Sequence, residues 1–211
     1  MDTDTPSYGA KERFETQRIS DIALGSVSNH TKINTSVHVG THIDFPAHFF
    51  ENGQCAQAYD ADFFIFNKPL MIDIVPEGKV ISKELTDVLG KIPDIGYDIL
   101  LVRTGEESKR GKETYMLENC GFAPFVADFL RSNFPSVRVM GFDTVSVSSF
   151  TDRMTGREAH KAFLNPDSPI LLLEDVSFAE IGDYKLINVV ISPLRAAGLD
   201  GSLCTVFGEI E

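Results

Sequence analysis

Residues 36–49 of this 211-residue chain read Ser36-Val37-His38-Val39-Gly40-Thr41-His42-Ile43-Asp44-Phe45-Pro46-Ala47-His48-Phe49. We interpret the stretch as a β-strand that ends near Pro46, because proline cannot donate a hydrogen bond to a neighbouring strand. Successive side chains of a strand point to opposite faces of the sheet. One face is then mostly apolar, whereas the other carries His38, Gly40, His42 and Asp44. The pattern predicts a strand that lies on a core with one face and presents two imidazoles and a carboxylate on the other.

These polar side chains form a candidate metal site. Two imidazoles and a carboxylate that converge on one point are good ligands for zinc, and they also suit manganese or iron. Gly40 is expected to leave a gap between His38 and His42, through which an ion or a substrate approaches the backbone. The alternative is a polar strand face in solvent, or histidines satisfied by hydrogen bonds in the core. The period-two spacing, together with the glycine, the aspartate and the proline, favours the metal site.

His48 follows the predicted end of this strand and is free to reach back over the polar face. An imidazole titrates near neutral pH and can both accept and donate a proton. Because His48 lies beside the predicted ligands but beyond the strand, we interpret it as a proton shuttle. The alternatives are a further metal ligand or a group that supports one.

The composition suits one globular domain over residues 1–211, with 43% hydrophobic and 24% charged residues. The formal net charge is −12, and no run of lysine or arginine interrupts it, so the sequence argues against nucleic-acid binding. No signal peptide is recognisable and no apolar run approaches membrane-spanning length, so a cytoplasmic protein without a membrane partner is expected. The three cysteines are widely spaced and form no CxxC pair, which argues against a disulfide framework.

Continuous apolar runs at residues 98–103 and 170–174 predict strands of a sheet that is covered on both faces. The second run ends in Glu174, and a buried glutamate is costly unless it is paired or bound to a metal. A further predicted strand at 137–142 leads into Asp143 and Ser146, which either line a pocket or cap the turn. Local patterns by themselves support only an α/β or α+β domain.

The motif His38-x-Gly40-Thr41-His42-x-Asp44-x-Pro46-x-His48-Phe49 resembles the signature of the metal-dependent cyclase-like hydrolase family, which includes bacterial kynurenine formamidases and isatin hydrolases. The resemblance runs from about residue 5 to the C-terminus. It implies an α/β fold of the single-domain swivelling β/β/α type with a mixed sheet. The first strand usual in the family is missing here, which implies a shortened N-terminus. Ser7-Tyr8-Gly9 stands where many formamidases have Trp-Pro-Gly-Asp.

The resemblance also implies a second ligand cluster, formed by a histidine on a short helix at 159–164 and a glutamate at the end of a strand. Asp44 would bridge two ions, and Asp175 replaces Glu174 if the alignment shifts by one residue. His48 keeps the role of proton shuttle. The cofactor implied is one or two divalent ions, zinc in the first place and manganese as an option. The implied metal ligands are His38, His42, Asp44, His160 and Glu174.

The implied activity is attack of a metal-activated water on the carbonyl of a formamide or small cyclic amide. N-formylkynurenine, cleaved to kynurenine and formate in tryptophan catabolism, is the leading small-molecule substrate, and a homodimer or homotetramer is expected. One alternative is a cyclase or lyase that acts through an enolate, and another is a non-catalytic relative that binds metal or ligand. The aromatic residues near the motif either pack an aryl ring of the substrate or belong to the core; they are Phe45, Phe49, Phe50, Phe63 and Phe64.

Overall fold

A computed structural model describes residues 1–182 and 184–211 of the chain. The strands are β1 (Glu15–Ser20), β2 (His30–Asn34), β3 (His42–Asp44), β4 (Ile65–Phe66), β5 (Pro69–Asp73), β6 (Val80–Ile81), β7 (Ile99–Arg103), β8 (Gly121–Phe122), β9 (Val139–Phe142), β10 (Leu171–Glu174), β11 (Leu186–Pro193) and β12 (Gly201–Ile210). The α-helices are α1 (Lys83–Leu89), α2 (Glu113–Leu117), α3 (Phe125–Asn133) and α4 (Arg153–Phe163). Short 3₁₀ helices lie at Tyr8–Ala10, Ile22–Leu24, Pro46–His48, Ala56–Ala58, Ala61–Phe64 and Glu106–Lys109.

A mixed sheet of eight strands in the order β4-β11-β12-β3-β10-β9-β7-β5 forms the centre of the molecule. Strands β5, β7, β9 and β10 run parallel to one another, whereas β3 pairs antiparallel with both β10 and β12. Two smaller sheets join β1 with β2 and β6 with β8. The predicted α/β class with a mixed sheet is therefore confirmed. Strand β3 lies where the parallel and antiparallel halves of the sheet meet.

The parallel half is buried on both faces, as its continuous apolar runs predict. All four residues of β9 and of β10 are buried, and so are the first four residues of β7. Helices α3 and α4 contribute Val126, Leu130, Ala159 and Phe163 to the same apolar core. Helix α4 is therefore packed on the core, next to the carboxyl end of β10.

The strand predicted in residues 36–49 is shorter than its alternating pattern indicates. Only His42–Asp44 forms strand, and Val37 and His38 lie in a turn. Gly40 has a φ of 67°, a left-handed conformation that glycine adopts without a steric penalty. A Cβ on Gly40 would lie 2.8 Å from Cγ2 of Thr5, so the expected gap for a ligand is wrong: the N-terminal segment fills it.

The chain leaves β3 as predicted. The strand ends at Asp44, and Pro46 begins the 3₁₀ helix that carries His48. Proline suits this position because the amide of a first helical residue has no partner within the helix. The chain therefore turns directly after β3, so that His48, the last histidine of the motif, can face the strand.

Helix α4 begins earlier than predicted. The sequence pattern assigned a short helix to residues 159–164, but the helix starts at Arg153, directly after Asp152. The side chain of Asp152 accepts a hydrogen bond from the amide of Thr155 at 3.2 Å and so caps the helix. The first two turns carry few apolar residues, which is why the periodicity of apolar residues did not reveal them.

No helix in the described part of the chain is long and apolar enough to cross a membrane. Cys55, Cys120 and Cys204 are free thiols, in agreement with the expected absence of a disulfide framework.

Candidate metal centre

Strands β3 and β10 bring three of the predicted ligands together. His42 and Asp44 are two residues apart on β3 and therefore share one face, and Glu174 is directly opposite His42 in the antiparallel register. Nε2 of His42 lies 3.3 Å from Oδ1 of Asp44 and 3.5 Å from Oε2 of Glu174. All three side chains are buried. The cluster is thus defined by strand pairing and not by a flexible loop.

Helix α4 supplies the fourth member of this cluster. Nε2 of His160 lies 3.6 Å from Oδ2 of Asp44 and 3.7 Å from Oε1 of Glu174. The other ring nitrogen, Nδ1, is 3.0 Å from the carbonyl oxygen of Gly156. His42 is held in the same way, because its Nδ1 donates to the carbonyl oxygen of Gly40 at 2.7 Å. Both rings therefore direct Nε2 at the carboxylates, which is how metal-binding histidines are oriented in proteins.

The distances and the donor atoms fit a divalent ion. Two ligand atoms that each bind zinc at about 2.1 Å with tetrahedral angles lie roughly 3.4 Å apart, close to the 3.3–3.7 Å separations that join His42 and His160 to the two carboxylates. Oδ2 of Asp44 is buried and accepts no hydrogen bond from any described residue. A buried carboxylate oxygen without a partner is costly, and a metal ion would satisfy it.

His38, His48 and Asp200 lie on the solvent side of Asp44. Nδ1 of His38 is 2.9 Å from Oδ1 of Asp44, and its Nε2 is 3.0 Å from Oδ2 of Asp200. The same Asp200 oxygen accepts a hydrogen bond from Nδ1 of His48 at 3.0 Å. The rings of His38 and His48 have centroids 4.1 Å apart. Ligand atoms of His38, Asp44 and His48 all lie within 4.8 Å of one another, so both interpretations of His48, shuttle or ligand, are geometrically open.

The electrostatics of the cluster also suit a cation. Burial lowers the pKa of His38, but its hydrogen bonds to Asp200 and Asp44 outweigh this effect and raise the pKa to about 10. The pKa values of His42 and His160 are likewise raised by Asp44 and Glu174 against the effect of burial. The two carboxylates thus favour positive charge on the imidazoles. A divalent cation would supply positive charge at the same place.

The two carboxylates of the cluster differ in their surroundings. Burial would raise the pKa of Asp44, but the imidazoles of His160, His38 and His42 outweigh it and hold this pKa well below its usual range. Burial and the negative charge of Asp44 raise the pKa of Glu174. Glu174 also accepts a hydrogen bond from the amide of Val147 at 2.8 Å. Asp44 is therefore the carboxylate most strongly committed to the charged form.

The sequence left the roles of Asp143, Ser146 and Asp175 open, and the structure shows a different environment for each of them. Asp143 caps a turn, because its carboxylate accepts hydrogen bonds from the amides of Thr104 and Gly105 at 2.7 Å. Ser146 lines the cavity above the cluster, where its hydroxyl donates to Glu174 at 3.3 Å. Asp175, the substitute for Glu174, faces away: it accepts hydrogen bonds from Arg110 and Tyr115.

A cavity of about 310 Å³ opens above the cluster. Phe49 lines it and stacks on the ring of His160 with centroids 4.5 Å apart. Phe45 and Phe64 are buried in the core, and Phe50 and Phe63 pack against it. Of the aromatic residues near the motif, only Phe49 lines the cavity itself.

Asp200 is the site residue that sequence reasoning missed. It precedes Gly201, which is opposite Asp44 in the pairing of β12 with β3. A Cβ on Gly201 would lie 2.5 Å from Cε1 of His38, so only glycine lets this ring pack on the strand. The run Gly198-Leu199-Asp200-Gly201 reads as a turn in the sequence, and only the pairing of β12 with β3 brings its carboxylate to the two histidines.

We expect Asp200→Asn to lower turnover by about tenfold at saturating metal, because groups that orient metal ligands contribute roughly 10- to 100-fold. An amide also loses the negative charge that holds His48. The measurement is kcat for the variant and for Asp87→Asn, a matched control on the exposed side of α1, both with excess metal. Equal kcat values for the two variants would contradict this role of Asp200.

A family model named Cyclase, with the description "Putative cyclase", matches residues 1–149. The kynurenine formamidase of Bacillus thuringiensis subsp. konkukian (strain 97-27) is 31% identical over 182 residues, which cover 84% of this chain and 78% of the relative. Cyclase-like protein 1 of Arabidopsis thaliana is 29% identical over 185 residues, which cover 84% of this chain and 68% of that protein.

Solved structures show the same fold at low sequence identity. An isatin hydrolase bound to the product analogue thioisatinate superposes with a TM-score of 0.77 at 17% identity, covering 99% of this chain and 88% of that one. A potential metal-dependent hydrolase with cyclase activity superposes with a TM-score of 0.75 at 20% identity, covering 97% and 90%. With the family model spanning most of the chain, these matches confirm the resemblance drawn from the histidine motif: the chain belongs to the cyclase family.

Proposed function

We propose that this protein is a metal-dependent amidohydrolase that cleaves a formamide or a small cyclic amide. The observation that carries the proposal is the buried cluster of His42, Asp44, His160 and Glu174 at the floor of a cavity, with His48 beside it. The similarity to a kynurenine formamidase supports a hydrolase, and the fold is one that isatin hydrolases share.

The proposed ligands would hold one or two divalent ions, with zinc as the first choice and manganese as the second. These ligands are His38, His42, Asp44, His160 and Glu174. A bound divalent ion polarises a carbonyl and lowers the pKa of water from about 15.7 to roughly 7. His42, His160 and Glu174 surround Asp44 on its buried side, and His38 contacts it from the cavity side. In this arrangement Asp44 is the ligand shared by the whole centre.

His48 is the proposed proton shuttle. Its Nδ1 donates to Asp200, so the neutral ring carries a free electron pair on Nε2. That nitrogen can take a proton from the attacking water and return it to the departing amine. The ring of His48 is part of the cavity wall. From there it would contact both the cluster and a bound substrate.

An aryl formamide is the substrate class that we favour, with N-formylkynurenine as the leading substrate and kynurenine and formate as its products. The cavity of about 310 Å³ is at the lower end of the range for small-molecule sites, so it suits a single-ring compound. Phe49, fixed against His160, offers an aromatic face to such a ring.

The test is hydrolysis of aryl formamides by the protein before and after metal removal. We expect metal-loaded protein to release formate and the free amine, and a chelator to lower the rate at least about 100-fold until zinc or manganese is added back. With N-formylkynurenine and formanilide, formate and amine are quantified separately. With isatin, which contains no formyl group, the ring-opened amino carboxylate is quantified instead.

Protein that contains metal but opens none of these amides would contradict the proposed function and favour a non-catalytic binding protein. A ring-closed or eliminated product, in place of formate, would instead favour a cyclase or lyase.

A further inference from the structure

The rim of the cavity is basic although the chain as a whole is acidic, with a formal net charge of −12. Three exposed cations, Lys11, Arg153 and Arg157, line the cavity beside one exposed acid, Glu12. The other carboxylates of the cavity lie at its floor and belong to the metal cluster. A bound molecule therefore meets positive charge at its outer end.

The two arginines stand in a fixed relation to the metal centre. Arg153, Arg157 and His160 follow one another on α4 at intervals of four and three residues, so their side chains share one face of the helix. With a rise of 1.5 Å per residue, Arg157 is about 4.5 Å and Arg153 about 10.5 Å from His160 along the helix axis. Both arginines therefore extend from the helix that carries His160 and line the same cavity.

Both guanidiniums lack a carboxylate partner in the part of the chain that the structure describes. Within residues 1–182 and 184–211, no carboxylate lies within ion-pair distance of Arg153 or Arg157. Of the seven other arginines, four have such partners, namely Arg103, Arg110, Arg131 and Arg138, and the remaining three do not line this cavity. In a chain with 31 acidic and 19 basic residues, two arginines on the wall of one cavity that lack a carboxylate partner among the described residues indicate a ligand that brings its own negative charge.

A pair of aromatic residues lies beside Arg153 at the cavity wall. The guanidinium of Arg153 lies 5.6 Å from the centroid of the Phe150 ring, and Phe150 contacts the ring of Tyr8 edge-on at 5.4 Å. Tyr8 itself lines the cavity. Burial raises the pKa of its phenol, whereas the charge of Arg153, a hydrogen bond from Arg153 and the charge of Arg157 act to lower this pKa, which is consistent with both guanidiniums lying near this wall.

We propose that Arg153 and Arg157 form an anion subsite that binds a carboxylate of the substrate while its amide carbonyl lies at the metal centre. The inference rests on the proposed function and narrows its substrate class to amides that also carry a carboxylate. A guanidinium matches a carboxylate with two parallel hydrogen bonds, which fixes orientation as well as affinity. The subsite selects anionic substrates and presents their carbonyl in one direction.

The test compares meta-formamidobenzoate with its neutral amide analogue, meta-formamidobenzamide, on metal-loaded protein. We expect kcat/KM to favour the acid at least about tenfold, the effect of one charge-assisted hydrogen bond. Arg157→Gln and the double variant Arg153→Gln/Arg157→Gln should lose that preference. Lys161→Gln is the matched control: it removes one positive charge from an exposed position of the same helix that does not line the cavity.

For each protein, kcat/KM for the acid is divided by kcat/KM for the amide. A general loss of activity lowers both values and leaves this ratio unchanged, whereas loss of the subsite lowers the ratio. A wild-type ratio near one, or a preference for the acid that survives in the double variant, would overturn the subsite. If neither compound is hydrolysed, the proposed function fails, and the same pair is compared by calorimetric binding to the metal-loaded protein. Tighter binding of the acid that is lost in Arg157→Gln then supports the subsite by itself, and equal binding overturns it.

Discussion

Asp44→Ala should yield a protein that no longer retains metal and has lost at least about 1,000-fold in kcat/KM. The carboxylate is the centre of the cluster: one of its oxygens contacts His38 and His42, and the other faces His160. Removing it leaves imidazoles from three different segments without a common partner. Loss of several kcal/mol of Lewis-acid stabilisation in the transition state corresponds to a factor of this size.

Elemental analysis of protein purified without added metal and without a histidine tag gives the metal content of both forms. Asp167→Ala, in an exposed turn away from the cavity, is the matched control and should keep its full metal content. Circular dichroism shows whether the variant still folds, which we expect because the substitution also removes a buried charge. A folded Asp44→Ala protein with wild-type metal content would contradict the assignment of the site.

The residues on β3 were predictable because a local pattern carries the information. His42 and Asp44 are two apart on a real strand, so the period-two rule places them on one face whatever the rest of the chain does. Glu174 was visible for a similar reason, as a carboxylate at the end of an aliphatic run. The position of His38 was predicted for the wrong reason: it reaches Asp44 from a turn and not from the strand.

What the sequence did not reveal depends on contacts between distant segments. Asp200 reaches the site because β12 pairs with β3, and no local pattern in either strand specifies that pairing. Thr5 fills the space above Gly40 because the N-terminal segment crosses the motif. Glycine is therefore needed at position 40 for its backbone conformation and for the close contact with Thr5, and not to leave room for a ligand. The length of α4, and with it the position of Arg153, depends on the Asp152 cap and not on apolar periodicity.

His48→Ala should retain metal and yet lose about 10²- to 10⁴-fold in kcat, the usual contribution of a positioned general acid or base. The ring donates to Asp200 through Nδ1 and is partly exposed at the cavity wall, which suits proton exchange with solvent and substrate. The four buried residues of the cluster remain in place without it. Metal content and kcat are measured on the same preparation, because only the combination of the two distinguishes a shuttle from a ligand.

His30→Ala is the matched control, since His30 is exposed on β2 and does not line the cavity. It should leave both metal content and kcat unchanged. A His48→Ala protein that loses metal to the same extent as His42→Ala would show that His48 is a ligand, as its distance from His38 and Asp44 permits. A fully active His48→Ala protein would exclude the shuttle altogether. Partial recovery of kcat with added imidazole, at constant metal content, would place the missing function in proton transfer, because a diffusible base restores a proton acceptor without rebuilding the site.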